Sequence, residues 1–301
     1  MSDAPASSLR ARALAAALEP FAAQVYFSPE CHAEYVALGF DPSPRTLEGG
    51  VAAPDGAAYF CSRGAALGQP PGDLVASAFA VFNPAVVVPL VELGWTRCDG
   101  PTIGAARTRG GVAQLARILG REPGGVDRAV ALLRRATADL RPEGRPLYAG
   151  LRAQPVPDGA LGTAWRLADL LREYRGDAHT AAWTAAGFDA TEIGLLTELY
   201  WGVPMRSYIR TRAWSADDLD AAQDRLRTRG LIEGDGFTAA GRDAREAVER
   251  ATDDQCRAFV EALGDDLDEL VTLLDGWSRQ VREAGGYLGA GPHTLAARST
   301  R

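Results

Sequence analysis

Residues 90–106, "LVELGWTRCDGPTIGAA", align without a gap on residues 226–242, "LRTRGLIEGDGFTAAGR". Leu90, Gly94, Asp99, Gly100 and Thr102 fall on Leu226, Gly230, Asp235, Gly236 and Thr238. Upstream, "EYVALGFD" (34–41) matches "AWTAAGFD" (182–189), with Tyr35 opposite Trp183 and the Gly-Phe-Asp triplets in register. Two copies at this separation predict two similar subdomains rather than a solenoid.

Each matched position has an expected job. Gly94 and Gly230 read as left-handed helix ends. Asp99-Gly100 and Asp235-Gly236 read as two-residue hairpin turns, and Thr102 and Thr238 as caps of the next helix. The expected fold is therefore mainly α, with duplicated winged-helix-like halves, small β-hairpin wings and a pseudo-two-fold arrangement. The halves are placed at 1–140 and 162–290, joined by the Pro/Gly-rich segment 141–161 and followed by a tail at 291–301.

The rest of the chain reads as helix. An amphipathic helix is expected over 8–26, and Asp189 with Glu192 forms a capping-box-like start. A further helix is expected to begin at Thr252, with Gln255 at its third position. Its stripe of Leu263, Leu267, Leu270, Leu274, Trp277 and Val281 seeks another helix, either in its own domain or as the seam of a homodimer.

Composition removes several chemistries. The 301 residues include no lysine, so all 32 basic residues are arginine. That excludes a lysine Schiff base, lysine-linked pyridoxal phosphate and a Walker A lysine. No G-x-S-x-G, H-E-x-x-H or G-x-G-x-x-G is present, so no cofactor is expected. Cys31, Cys61, Cys98 and Cys256 are scattered and the three histidines lack metal spacing, so the thiols read as reduced and no metal site is expected. No run of apolar residues is long enough for a membrane span, and the first residues lack a basic, then apolar, leader; a cytoplasmic protein is the expectation. A net charge of −7 argues against a broad nucleic-acid footprint.

Residues 215–251 resemble the winged helix of MarR-type regulators: a helix, "RLRTRGLI", a short wing, then "TAAGR" opening a helix. "AYFCSRGAALGQPPGDLVASAFAVFNPAVVVPLVELGW" and "LLREYRGDAHTAAWTAAGFDATEIGLLTELYWG" resemble the SalK-like helix-turn-helix proteins of actinomycetes. The resemblance implies a duplicated winged-helix-like fold and no agreed activity. MarR wings carry a basic tip; here "IEGDGF" has Glu233 and Asp235 and no arginine. The helix before it sets Asp217, Asp218, Asp220 and Asp224 against Arg225, which opposes phosphate binding. Arg206, Arg210 and Arg212 in "RSYIRTR" either grip a phosphate or pair with those aspartates.

The expected partner is thus a small apolar or aromatic molecule between the halves, not nucleic acid. A MarR-like regulator and an enzyme with no visible motif are the alternatives. In "REYRGDAHTAAW", His179 reads as a general base tuned by Asp177, beside Arg175; the structural alternative is a loop whose Asp caps a helix. His32 is expected near the equivalent place in the first half, facing the same cleft, or else as an ordinary core histidine. Asn83, the chain's single asparagine, caps a helix at Pro84 or turns its amide into the cavity. Tyr59, Arg63 and Arg107 are candidates for a carboxylate or other anion, against ordinary ion pairing. Trp201 is a candidate pocket wall, or plain core.

Overall fold

A computed structural model describes residues 6–289; the tail expected at 291–301 lies outside them. Nine helices come first: α1 (Ala6–Ala23), α2 (Pro29–Ala37), α3 (Gly56–Gly64), α4 (Gly72–Phe79), α5 (Pro84–Trp95), α6 (Gly100–Leu119), α7 (Val126–Thr137), α8 (Pro146–Arg152) and α9 (Gly159–Ala185). Then follow α10 (Ala190–Trp201), α11 (Ala216–Thr228), strands β1 (Ile232–Glu233) and β2 (Gly236–Phe237), α12 (Ala239–Gln255), α13 (Arg257–Leu263) and α14 (Leu267–Glu283). The chain is mainly helical, with a two-stranded antiparallel sheet among the described residues.

The Gly-Phe-Asp echo has a common backbone. Gly39 and Gly187 both take positive φ, +89° and +73°. The next amides, Phe40 N–H and Phe188 N–H, reach back to the Tyr35 and Trp183 carbonyls, and both Phe rings are buried. That is a glycine-ended helix clamped by an apolar contact. Downstream the two aligned stretches diverge.

Gly230 is left-handed at φ +68°, as expected. Gly94 instead lies inside α5, where an added Cβ would meet Cys61 Sγ at 2.3 Å; it lets α5 approach α3. The second stretch forms its hairpin, but with Gly234-Asp235 as the loop, one residue earlier than expected, because Gly234 supplies the positive φ of +57°. The first stretch has no wing. Asp99 caps α6 directly, accepting from Thr102 N at 2.8 Å, with Pro101 in the first turn. Pro101 stands where Phe237 pairs across the hairpin, and a proline cannot donate to a ladder. Thr102 is therefore a helix residue, not a cap.

Thr238 does cap α12, accepting from Gly241 N at 3.0 Å. A Cβ at Gly241 would come 1.8 Å from the Leu231 carbonyl oxygen. Gly241→Ala is expected to push the wing off α12 and to cost roughly 1–3 kcal/mol or more, as overpacking against backbone does; chemical denaturation of the variant checks this.

Two hydrophobic cores result. The larger gathers α1–α9 with α13 and α14. The smaller comprises the end of α9 with α10, α11, β1–β2 and α12, around Phe188, Ile193, Leu196, Leu219, Leu226 and Val248. Segment 141–161 carries α8, whose Leu147, Tyr148 and Leu151 are buried. Thr252 does not start a helix: α12 runs on to Gln255, and Thr252 Oγ donates to the Val248 carbonyl at 2.8 Å. The leucine stripe of α13–α14 is buried within the chain. Ser278 Oγ donates to the Ala17 carbonyl at 2.6 Å and Trp277 packs on Phe21 at 5.3 Å, so α1 covers the stripe proposed as a dimer seam. α9, at 27 residues, belongs to both cores.

Candidate functional site

Between the two cores lies a cavity of about 510 Å³, within the range of small-ligand pockets. α1 supplies Leu9, Arg12, Ala13, Ala16 and Glu19; α9 supplies Arg172, Glu173, Arg175, Asp177, His179 and Trp183. α10 adds Tyr200 and Trp201, α12 adds Arg245 and Glu249, and Arg63, Phe79, Val81, Tyr208 and Arg212 complete the wall. The segment "REYRGDAHT" is thus the middle of a helix, not a loop.

Two ion-pair lattices flank it. In the first, Arg63 forks onto Glu173 at 3.0 and 2.7 Å. Arg172 joins Glu173 at 3.0 Å to Glu19 at 2.9 Å, and Tyr287 O–H donates to Glu19 at 3.1 Å. Burial pushes the Glu173 carboxyl up, but Arg63 and Arg172 outweigh it and hold it down at about 2. In the second lattice, Arg12 binds Asp253 at 2.6 Å and Glu246 at 2.8 Å. Arg175 reaches Glu249 at 3.0 Å and Asp253 at 3.3 Å, and Arg245 holds Glu249 at 2.7 Å. Burial opposes ionisation of Glu249, yet Arg245 and Arg175 hold it well below the carboxylate range; at Asp253 burial wins and the carboxyl rises to about 6.

Of the residues singled out from sequence, Arg63, Arg175, Asp177, His179 and Trp201 share this cavity. His179 Nδ1 meets Thr252 Oγ at 3.0 Å. Asp177 Oδ2 accepts from Tyr148 N at 3.0 Å, so it caps α8 from a neighbouring helix, and burial pushes it up to about 7. Trp201 packs edge-on against Tyr208 at 5.0 Å.

His32 and Tyr59 are elsewhere, together in a separate small hollow with Tyr26 and Tyr35. His32 Nε2 meets the Tyr26 carbonyl at 3.2 Å, and burial lowers its pKa; it does not face His179 across a common cleft. Tyr59 packs edge-on against Tyr26 at 5.1 Å and Phe60 at 5.2 Å. Arg107 is buried on Asp169 at 2.9 Å and Tyr26 O–H at 3.3 Å. Like Arg63, it is engaged by an internal carboxylate.

Asn83 caps α5, accepting from Ala85 N at 3.0 Å, and also holds the far segment 208–213. Its backbone N–H donates to the Arg212 carbonyl at 2.9 Å, and its Nδ2 donates to Ala213 O at 3.1 Å. From the other side the buried Glu198 carboxylate accepts the amides of Arg206, Tyr208 and Ile209. These two residues deliver Tyr208 and Arg212 to the cavity. Arg206 pairs with Asp220, as one expectation had it; Arg212 does not.

Arg12, Arg245 and Glu249 were not anticipated as site residues, and Arg212 was read only as a phosphate grip or a partner of the α11 aspartates. The Arg245/Glu249 spacing of four along one helix was the available signal; nothing local marks Arg12. Among the described residues no group of three His, Cys, Asp or Glu could hold a metal ion, and no helix is long and apolar enough to cross a membrane.

A helix pair followed by a hairpin and a third helix, seated on a larger helical body with a cavity at the junction, defines a helix-turn-helix protein with one wing. A family described as "Helix-turn-helix family" matches residues 11–288, and the chain belongs to it. Comparisons with curated proteins and with solved structures return no match.

Proposed function

We propose that this protein binds a small molecule in the cavity between its two cores, and that its winged helix serves as a wall of that cavity rather than as a DNA reader. The observation that carries the reading is the cavity itself, about 510 Å³ and walled by α1, α9, α10 and α12. The surface of α11 supports it. Asp217, Asp220 and Asp224 are exposed there, while Arg225 is paired with Asp189, Arg227 with Asp224 and Arg229 with Glu192. Cations already neutralised internally release few counterions from DNA. The finer kinship is to SalK-like proteins, with a MarR-like second copy and a first copy that has lost its wing; a cytoplasmic setting goes with it. A cofactor-free acid–base step would fall to His179 and Asp177, the titratable pair that the cavity shares.

The test is a thermal-shift screen against metabolites, since a ligand of the native state alone raises apparent stability. Ala16, on α1, lines the cavity and is half-buried. Ala16→Trp is expected to fill the space, abolish every stabilisation found in the wild type and leave the unliganded midpoint nearly unchanged. Hits that survive in Ala16→Trp would place the ligand elsewhere.

A DNA-binding regulator is the second reading, favoured by the family itself and by exposed Arg210 in the segment before α11. A competitor-resistant gel shift on DNA upstream of its own gene would establish it.

A further inference from the structure

The polar groups of the cavity are unevenly satisfied. Arg63 and Arg172 are matched by Glu19 and Glu173; Arg12, Arg175 and Arg245 are matched by Glu246, Glu249 and Asp253. One lining cation remains. Arg212 has no carboxylate within 4.0 Å among the described residues. Its guanidinium lies over Phe82 at 4.5 Å and Tyr208 at 4.7 Å, and it donates to Tyr208 Oη. Two aromatic faces fix the plane of the fork, and the Asn83 contacts fix the backbone that carries it. A planar guanidinium held this way is already oriented for two oxygens.

The second observation is independent of Arg212. Among the described residues, the buried polar side-chain atoms of this cavity that lack a hydrogen-bond partner are Arg175 Nε, Trp183 Nε1, Arg245 Nε and Arg245 Nη1. All are donors. Arg245 is only 1% exposed, so two of its donor nitrogens are withdrawn from bulk solvent at a cost. The cavity is short of acceptors, not donors. Between these polar groups the wall has an apolar stretch, with Leu9, Ala13, Phe79, Val81 and Trp201.

We infer that the cavity takes an organic anion with an apolar body, its charged group seated on Arg212. The inference rests on the ligand-binding reading above and adds the ligand's charge to it. Arg212 is a binding residue, and Asn83 and Glu198 act by positioning it.

An isosteric pair separates charge from shape. Binding of 1-naphthoate and of 1-naphthamide to the wild-type protein is measured by calorimetry at pH 7.5. The carboxylate is expected to bind at least about tenfold more tightly, the size of one charge-assisted hydrogen-bonded contact, and Arg212→Gln is expected to erase that preference. Equal or tighter binding of the amide overturns the inference while leaving the cavity reading standing. A preference that survives Arg212→Gln overturns the assignment of Arg212. Binding of neither compound overturns the inference, and the metabolite screen then shows whether the cavity reading outlives it. Because the pair is compared on the wild type, the test does not depend on the variant folding.

Discussion

Glu173→Gln is expected to lower folding stability by about 3–5 kcal/mol, the cost of removing one partner from a buried ion pair. Glu173 is almost wholly buried and carries both Arg63, through a two-bond fork, and Arg172. Glutamine preserves the shape but leaves two guanidinium groups facing a neutral amide in a dry interior. The exposed pair Arg109–Glu34 provides the comparison, with the arginine side chain 57% accessible. Glu34→Gln is expected to cost no more than about 1 kcal/mol, as surface pairs do. Urea denaturation of both variants at pH 7 checks the contrast. Equal costs would mean that the lattice beside the cavity is not the anchor described here.

Asp177→Asn is expected to do the opposite, and in a pH-dependent way. Burial raises the Asp177 carboxyl from 3.8 to about 7, against the Tyr148 N–H that favours its charge; Glu173 adds to the rise. Between those values the folded chain holds a proton that the unfolded chain has lost. Stability from this group is therefore complete near pH 4 and is lost as pH rises to 7. The asparagine variant avoids that loss and still accepts from Tyr148 N. Its advantage should grow from near zero around pH 4 to a few kcal/mol by pH 8, at roughly 1.4 kcal/mol per unit, and then level off. Denaturation midpoints across that range measure it. A gain independent of pH, or a loss at pH 8, would contradict the environment assigned to Asp177.

Local signals were legible where one residue type answers one backbone demand. The Gly230 helix end, the Asn83 cap before Pro84, the Asp189–Glu192 capping box and the Thr238 cap are all present. The repeat misled where identical residues had different neighbours: Asp-Gly followed by Phe237 belongs to a hairpin, but followed by Pro101 it starts a helix. Gly94 is small for packing, whereas Gly230 is there for its left-handed φ.

The site was legible chiefly in its α9 portion, with Arg63 and Trp201 anticipated from other elements. Arg175, Asp177 and His179 stand close in sequence, so composition flagged them. Arg12, Arg212 and Arg245 come from three distant elements, and only tertiary folding sets them around one space. Arg107 and Arg63 were expected to bind an anion from outside. Their carboxylates lie on α9, at Asp169 and Glu173, over 60 residues away in sequence, where no local pattern could pair them.

Hydrogen exchange of the full chain, run once with 1-naphthoate and once with duplex DNA from upstream of its own gene, separates a ligand cavity from a DNA-reading winged helix. Slowed exchange is expected in α1, α9, α10 and α12 with the carboxylate, and unchanged exchange in α11 and β1–β2 with the DNA. Protection along α11 and the wing by DNA, with none around the cavity, would contradict it.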